Sequence, residues 1–469
     1  MQSIFVSMSN RKDKGLVKFM APLVLGNMLN PLNSTMLATA IVSIVLAFKQ
    51  EPGAGALLIV PLYFTSAIGQ PLMGRLCDVF SPYRVNLAGF VFILISAIIG
   101  VSAQSFTWLI VSRILLGLGS SAAYPSSITL IRRRYKALNI DVPGITLGII
   151  AIASQVSIAF GPFVGGILVE NFGWKGIFFV NIPLVAIGLL LSIQKKGEVP
   201  LETGIPKKSA MQIVKDLDPL GLALFSSLLM LFLIALLYPT YLYIKIPVIV
   251  CLQYMFVKAE LKHSKPFIDV RVLRLNMLLN TTFLRQVGIT FVMYLVLYGM
   301  PQWMEQTKGI SPSHVGIIMI PLSLTAMVIS LSLSGNKNFM FMLTLGVVCI
   351  IGASVGFFFL SKTTPIYMIT CLTVIIGAAL GILTISNQST LYAAAPEDQV
   401  GISFGLYRTV GYIGAILAGS SLKHKFNKGA TDAGLHSLGL YSLIACIAIV
   451  LFMLPLYFKK KENPIQLTS

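Results

Sequence analysis

The chain has 469 residues, 56% of them hydrophobic and 11% charged, and its mean hydropathy of +0.85 lies far outside the range of a water-soluble globular protein. A net charge of +19 raises nucleic-acid binding, but the basic residues sit in short breaks between apolar runs, which is a membrane-topology pattern. The five cysteines, Cys77, Cys251, Cys349, Cys371 and Cys446, stand singly in apolar surroundings, so neither a disulfide framework nor a metal site is suggested.

A membrane-spanning helix needs about 20 mostly apolar residues. Such runs recur at 18–39, 53–74, 85–104, 107–131, 143–169, 176–194, 219–237, 242–257, 280–303, 313–334, 339–361, 365–390, 401–420 and 438–457, which predicts an all-α polytopic membrane protein with fourteen transmembrane helices. The first run lacks a small-residue cleavage pattern and reads as a retained span. Most basic residues, including Arg11, Lys12, Lys14, Arg132, Arg133, Arg134 and Lys459 to Lys461, fall on one side, so both termini are expected in the cytoplasm and the chain in the plasma membrane. The loop with Lys423, Lys425 and Lys428 runs against this rule.

In the first span, Asn27, Asn30 and Asn33 recur every three residues and share a helix face. Each amide could be interhelical glue, but a row of three favours a lined cavity. After span two comes Gly74-Arg75-Leu76-Cys77-Asp78-Val79-Phe80-Ser81-Pro82-Tyr83-Arg84, a tight turn whose carboxylate and basic residue can latch a neighbouring helix end. Span four carries Arg113, and an arginine that deep should line a wet cavity or be paired. Arg408 in span thirteen repeats the argument, whereas Arg285 can snorkel from the end of span nine. Span five holds Gly161-Pro162 and Gly165-Gly166, which predicts a bent helix with a face that another backbone can approach closely; small-residue packing alone is the bland alternative.

GRLCDVFSPYR after span two, Arg113 with the small residues behind it, and GPFVGG in span five resemble, in order and spacing, the three characteristic motifs of drug exporters in the major facilitator superfamily. GWKGIFFVNIP, DLDPLG, FVKAELKHSKPFID, PQWMEQTKGISPSHVGIIMIP and GISFGLYRTVGYIGA are similar to the fourteen-helix branch, the drug:proton antiporter-2 family. The resemblance covers nearly the whole chain. It implies a six-helix bundle over 1–194, cytoplasmic linkers and two extra helices over 195–279, and a second six-helix bundle over 280–469, with the transport path between the bundles. It assigns gating to Gly74, Asp78 and Arg84, proton coupling to Arg113, and the antiporter's conformational change to Gly161, Pro162, Gly165 and Gly166.

The chain departs from that pattern where coupling is concerned. Asn33 stands where the family commonly has a first-span aspartate, Leu116 replaces a glutamine, Val79 replaces an arginine, and the second-half counterpart of the inner turn is reduced to SGNKNF. No carboxylate sits at mid-membrane, and Glu305 at an outer helix end is the acid best placed for proton coupling, with an exposed acid beside Lys308 as the alternative. The candidate cavity comprises Asn30, Asn33, Gln155, Tyr298, Trp303, Asn387, Gln388 and Arg408, a set that suits neutral, zwitterionic or anionic amphiphiles better than dications. The four histidines are far apart, against an enzyme, and no filter repeat supports a channel. A proton-coupled exporter of small amphiphilic drugs conferring drug resistance by alternating access, monomeric, with no metal and no cofactor beyond a proton gradient, is the leading expectation. A proton-independent facilitator, or an exporter of a lipid-like or anionic metabolite, is the rival, and a non-transporting sensor is more remote.

Overall fold

In the computed structural model, described here for residues 14–140, 144–193, 217–263, 266–268, 270–273, 276–333, 338–395 and 400–454, the apolar runs fold as α-helices, and no strand occurs among the described residues. Helices satisfy every internal N–H and C=O within the segment, which hydrocarbon surroundings demand. The chain begins with α1 (Lys14–Met36), α2 (Ile41–Ala47), α3 (Ala56–Val79), α4 (Pro82–Ser102), α5 (Phe106–Ser121) and α6 (Ala123–Ala137). There follow α7 (Gly144–Phe172), α8 (Gly176–Phe179), α9 (Asn181–Ile193), and the pair α10 (Pro219–Leu237) and α11 (Leu242–Lys262). The remainder is α12 (Met277–Gln306), α13 (Pro312–Leu333), α14 (Phe339–Gly356), α15 (Ile366–Ala394), α16 (Val400–Lys425) and α17 (Asp432–Leu451).

Twelve helices of the described residues are long and apolar enough to cross a membrane, and a bent pair, Leu16–Thr39 with Ile41–Ala47, would make thirteen. The helix at the expected thirteenth span, α16, is 26 residues long but is not among these twelve. The bend of 63° in the first span has no counterpart in the sequence reading. It follows a 3-10 turn at Leu37–Thr39, where the Thr39 hydroxyl donates to the Met36 carbonyl and to the Pro162 carbonyl of α7. By contrast α7 runs unbroken through Pro162, so the sharp break lies in the partner of the proline helix.

Packing sorts the helices. α1 packs on α7 and α9, α5 on α3 and α4, while α12 packs on α16 and α17, and α15 on α13 and α14. Two seams join these sets, α7 against α13 and α3 against α16. The α10–α11 pair lies outside: α10 touches both α3 and α16, and α11 turns nearly all of its surface outward. One end of the molecule gathers Glu170, Glu305 and the turn before α17, and the opposite end carries Arg84; they are called the Glu305 end and the Arg84 end below.

At the Arg84 end, the α10–α11 pair is clamped to the segment leading into α12. Asp218 accepts from the Gly221 amide at 3.0 Å, capping α10, and from the Phe267 amide at 2.9 Å. Glu260 accepts from the Ile268 amide at 2.9 Å, and His263 Nδ1 lies 3.9 Å from Asp218. At the other end, Ser420 and Lys423 of α16 donate to the Leu236 and Leu237 carbonyls that close α10.

Candidate functional site

The α7–α13 seam is closed near the Glu305 end by backbone contact. A Cβ on Gly161 would strike the Thr35 side chain, one on Gly165 the Met36 backbone, and one on Gly166 the Pro312 backbone. From the other side, a Cβ on Gly316 would lie 2.7 Å from the Pro162 carbonyl. These glycines therefore hold α1, α7 and α13 at a distance that no side chain permits. Across the same seam, Glu170 accepts from the Ser313 amide at 3.3 Å in the first turn of α13, where a helix N-terminus favours an anion.

The asparagine row does not act as one surface. Asn27 is buried and donates to Ser127 at 2.8 Å, tying α1 to α6. Asn33 is 3% exposed, and its amide exchanges two hydrogen bonds with Asn181, at 2.6 Å and 2.7 Å. The Asn33 amide thus joins α1 to α9 and is withdrawn from the expected cavity lining. Asn30 remains half-buried and donates to Ser120 at 2.7 Å.

Arg113 lies fully inside, with Nε donating to the Leu58 carbonyl at 3.1 Å, Nη2 to the Asn33 carbonyl at 3.4 Å, and the Phe178 ring 5.9 Å away. Arg285, expected to snorkel, is instead buried: it donates to Asn387 Oδ1 at 3.0 Å, Thr282 Oγ1 at 2.8 Å and the Phe452 carbonyl at 2.8 Å. Both guanidiniums meet neutral oxygen acceptors and, among the described residues, no carboxylate. Asn387 is consumed by this cluster, also donating to the Thr282 carbonyl, and so leaves the expected lining too.

At the Glu305 end, Trp303 is buried with Nε1 donating to Asp432 at 2.8 Å, which makes it a packing residue between α12 and α17. Lys308 donates to the Lys362 and Thr364 carbonyls, at 2.6 Å and 2.7 Å, rather than pairing with Glu305. Glu305 Oε1 is buried with no hydrogen-bond partner. Tyr298, Gln302 and Glu305, spaced by four and three, share one face of α12, a helix that packs on the Leu37–Thr39 turn and on α2. Tyr298 on that face donates to the Ser34 carbonyl at 2.9 Å and meets the Tyr63 hydroxyl at 3.0 Å.

Further toward the Arg84 end, Tyr294 and Tyr412 surround Tyr63, and Arg408 lies 3.8 Å over the Tyr124 ring, linking α16 to α6. Sequence reasoning names Tyr298 and Arg408 here but misses Tyr63, Tyr294, Tyr412 and Asn181; only the tyrosine spacing of four on α12, at Tyr294 and Tyr298, is a readable signal. Gln155 on α7 and Gln388 on α15 are half-buried. The expected turn from Gly74 to Arg84 is helical except at Phe80 and Ser81: Gly74 lies within α3 near Pro125, Arg84 is exposed in the first turn of α4, and the Asp78 side chain lies outside the described residues. No group of three or more His, Cys, Asp or Glu that could hold a metal ion comes together among the described residues.

Residues 23–419 match the family described as Major Facilitator Superfamily. An uncharacterized MFS-type transporter, YwoD of Bacillus subtilis (strain 168), is 30% identical over 92% of this chain and 95% of its own length. The riboflavin transporter RibZ of Clostridioides difficile (strain 630) is 25% identical over 83% of this chain and 86% of its own. The multidrug efflux pump SdrM of Staphylococcus aureus (strain N315) is 23% identical over 94% and 96%. In fold, the chain is similar to a crystal structure of a variant of the nucleoside transporter NupG, with a TM-score of 0.64 at 14% identity over 93% of this chain and 99% of that one.

Proposed function

We infer, since the chain belongs to the Major Facilitator Superfamily and is a multi-pass membrane transporter rather than an enzyme, that it exports small amphiphilic molecules by alternating access. The observation that carries this reading is the pair of seams. At the Glu305 end, Gly166 of α7 lies against the Pro312 backbone and Gly316 of α13 against the Pro162 carbonyl, which closes the α7–α13 seam there; further in, half-buried Gln155, Asn30, Tyr294 and Tyr412 provide groups that a ligand could use. Prying α7 from α13 while the Arg84 end closes would give the alternate state, and a substrate shifts the balance by its difference in affinity for the two.

In this proposal the Glu305 end faces outward, both termini are cytoplasmic, the protein acts as a monomer in the plasma membrane, and α16 completes a fourteen-helix drug:proton antiporter-2 architecture. The bundles are 1–194 and 280–469, with the α10–α11 pair and its linkers, 195–279, between. Protons drive export: Glu305, a carboxyl with a buried unpartnered oxygen on the same face of α12 as Tyr298, binds and releases the proton, and Arg113 biases the cycle. The name of SdrM supports a drug substrate and that of RibZ a vitamin-like one. The Asn33–Asn181 pair favours a second reading, a proton-independent facilitator or an exporter of an anionic or lipid-like metabolite, because the first-span position holds no titratable group. Efflux of a panel of fluorescent substrates from proteoliposomes, with and without an imposed pH gradient, tests the proposal; efflux indifferent to the gradient favours the second reading, and no efflux of any substrate rejects both.

A further inference from the structure

We propose that Tyr63, Tyr294 and Tyr412 form an aromatic box that selects flat ring systems bearing carbonyl acceptors, uncharged or anionic, over dications; as a substrate class this rests on the export reading above. The three rings come from α3, α12 and α16 and so from both sides of a seam. Tyr294 lies 4.8 Å from the Tyr63 centroid at 56°, and Tyr412 lies 5.8 Å from it at 30°. Tyr63 is completely buried, whereas Tyr294 and Tyr412 are half-buried. The inner ring is fixed from behind by the chain of hydroxyls through Tyr298 to the Ser34 carbonyl. Both outer rings keep part of their surface exposed; Tyr298 stacks on Tyr294 with centroids 5.9 Å apart, so Tyr412 and the uncovered part of Tyr294 are what a flat ligand stacks on.

The polar handles point to the same class. Gln70 Nε2 donates to the Tyr412 hydroxyl at 3.1 Å, which leaves the Tyr412 proton for a ligand oxygen and orients the phenol. Charge weighs against a dication, which ring faces alone would attract. Among the helices that supply the rings, α16 contains no acid, Glu305 is eleven residues from Tyr294, about 16 Å along α12, and Asp78 is about 22 Å from Tyr63 along α3. The nearest charge along the chain is Arg408, one turn from Tyr412 on the same face. A dication would therefore meet a guanidinium and no counter-charge, while a carbonyl-rich or anionic ring meets hydroxyl donors and a cation.

Binding to the purified full chain in detergent tests the box without requiring transport. Riboflavin serves as the flat uncharged probe, fluorescein as the flat anion and methyl viologen as the dication. The parent should bind at least one of the first two, and methyl viologen should not displace it. Tyr294→Ala and Tyr412→Ala should each weaken that binding about ten-fold, the loss of one stacking partner. Tyr294→Phe should stay within about three-fold of the parent because the ring remains, and Tyr412→Phe should lose more for riboflavin than Tyr294→Phe does. The proposal is overturned if neither flat probe binds, if methyl viologen binds more tightly, or if monodisperse alanine variants bind like the parent. Where an alanine variant does not fold, equal losses in the two phenylalanine variants overturn it. Tyrosine-dependent binding without efflux in vesicles would instead reject the export reading and leave the box standing.

Discussion

Asn33 and Asn181, 148 positions apart, hold each other by two amide hydrogen bonds of 2.6 Å and 2.7 Å inside the helix set that begins the chain. Asn181 also donates to the Ile177 carbonyl at 3.0 Å, and the Asn33 backbone carbonyl is an acceptor for Arg113. One amide pair thus ties α1, α5 and α9 together. Asn33→Ala should cost about 1–3 kcal/mol, since it leaves the buried Asn181 oxygen without its donor. The double variant with Asn181→Ala should cost less than the two single variants added, with a coupling on the order of 1 kcal/mol. Thermal unfolding of the four proteins in detergent closes the cycle, and strict additivity would mean that the pair contributes nothing.

The proton-coupling proposal makes a separate demand on Glu305. Its Oε1 is buried with no partner, and the neighbouring Lys308 is committed to the Lys362 and Thr364 carbonyls. Glu305→Gln keeps the shape and removes the exchangeable charge. Substrate uptake into inverted vesicles driven by a pH gradient should fall at least about ten-fold, the scale on which loss of a proton-transfer group is felt, while downhill substrate exchange persists. Gradient-driven uptake at parental rate in this variant would place coupling elsewhere.

Asp218 makes a prediction about the α10–α11 pair. Its carboxylate caps α10 through Gly221 and holds the Phe267 amide, and its own backbone is left-handed, with φ of 48°. Asp218→Ala should lower stability by about 1–2 kcal/mol from the lost cap alone. Hydrogen exchange should rise at Phe267 and Ile268 before it rises in α12. Unchanged exchange at those two amides would show that the apolar contacts of Phe267 with Phe225 and Phe256 hold the segment without Asp218.

What can be read in advance divides along a physical line. Hydropathy measures transfer from water, so it marks the helices but places their ends less well, the last span being expected at 438–457 where α17 runs Asp432–Leu451, and the small residues of GPFVGG mark a close backbone approach. Helices apolar on every side carry little information about which face meets protein and which meets lipid. For that reason sequence alone puts Asn33 in a cavity when it faces Asn181, puts Trp303 and Asn387 there when they pack on Asp432 and Arg285, and passes over Tyr63. The bend after Met36 is illegible because neither proline nor glycine marks it; Pro31 lies more than a turn earlier inside α1. The asparagine at position 33 is itself legible, and it directs attention to Glu305.

Gly166 offers the most direct test of the closed seam. A side chain there would run into the Pro312 backbone, whose helix start also receives the Glu170 carboxylate. Because the obstruction is backbone on both sides, Gly166→Ala has no flexible neighbour to displace, and the relief available is to part α7 from α13. Closure of the Glu305 end is thereby penalised relative to opening, and the population shifts toward the state open at that end by the differential cost; about 1.4 kcal/mol is tenfold. A Ser313→Cys reporter, read by a membrane-impermeant maleimide applied from the Glu305 side, should label several-fold faster when combined with Gly166→Ala. Gly173→Ala on the turn after α7 is the control, for a Cβ at Gly173 meets nothing within 4 Å, although its φ of 67° adds local strain. Equal labelling rates with and without the Gly166→Ala substitution would mean that the contact is not the closing element, and the glycine cluster would then serve packing within α1, α7 and α13 alone.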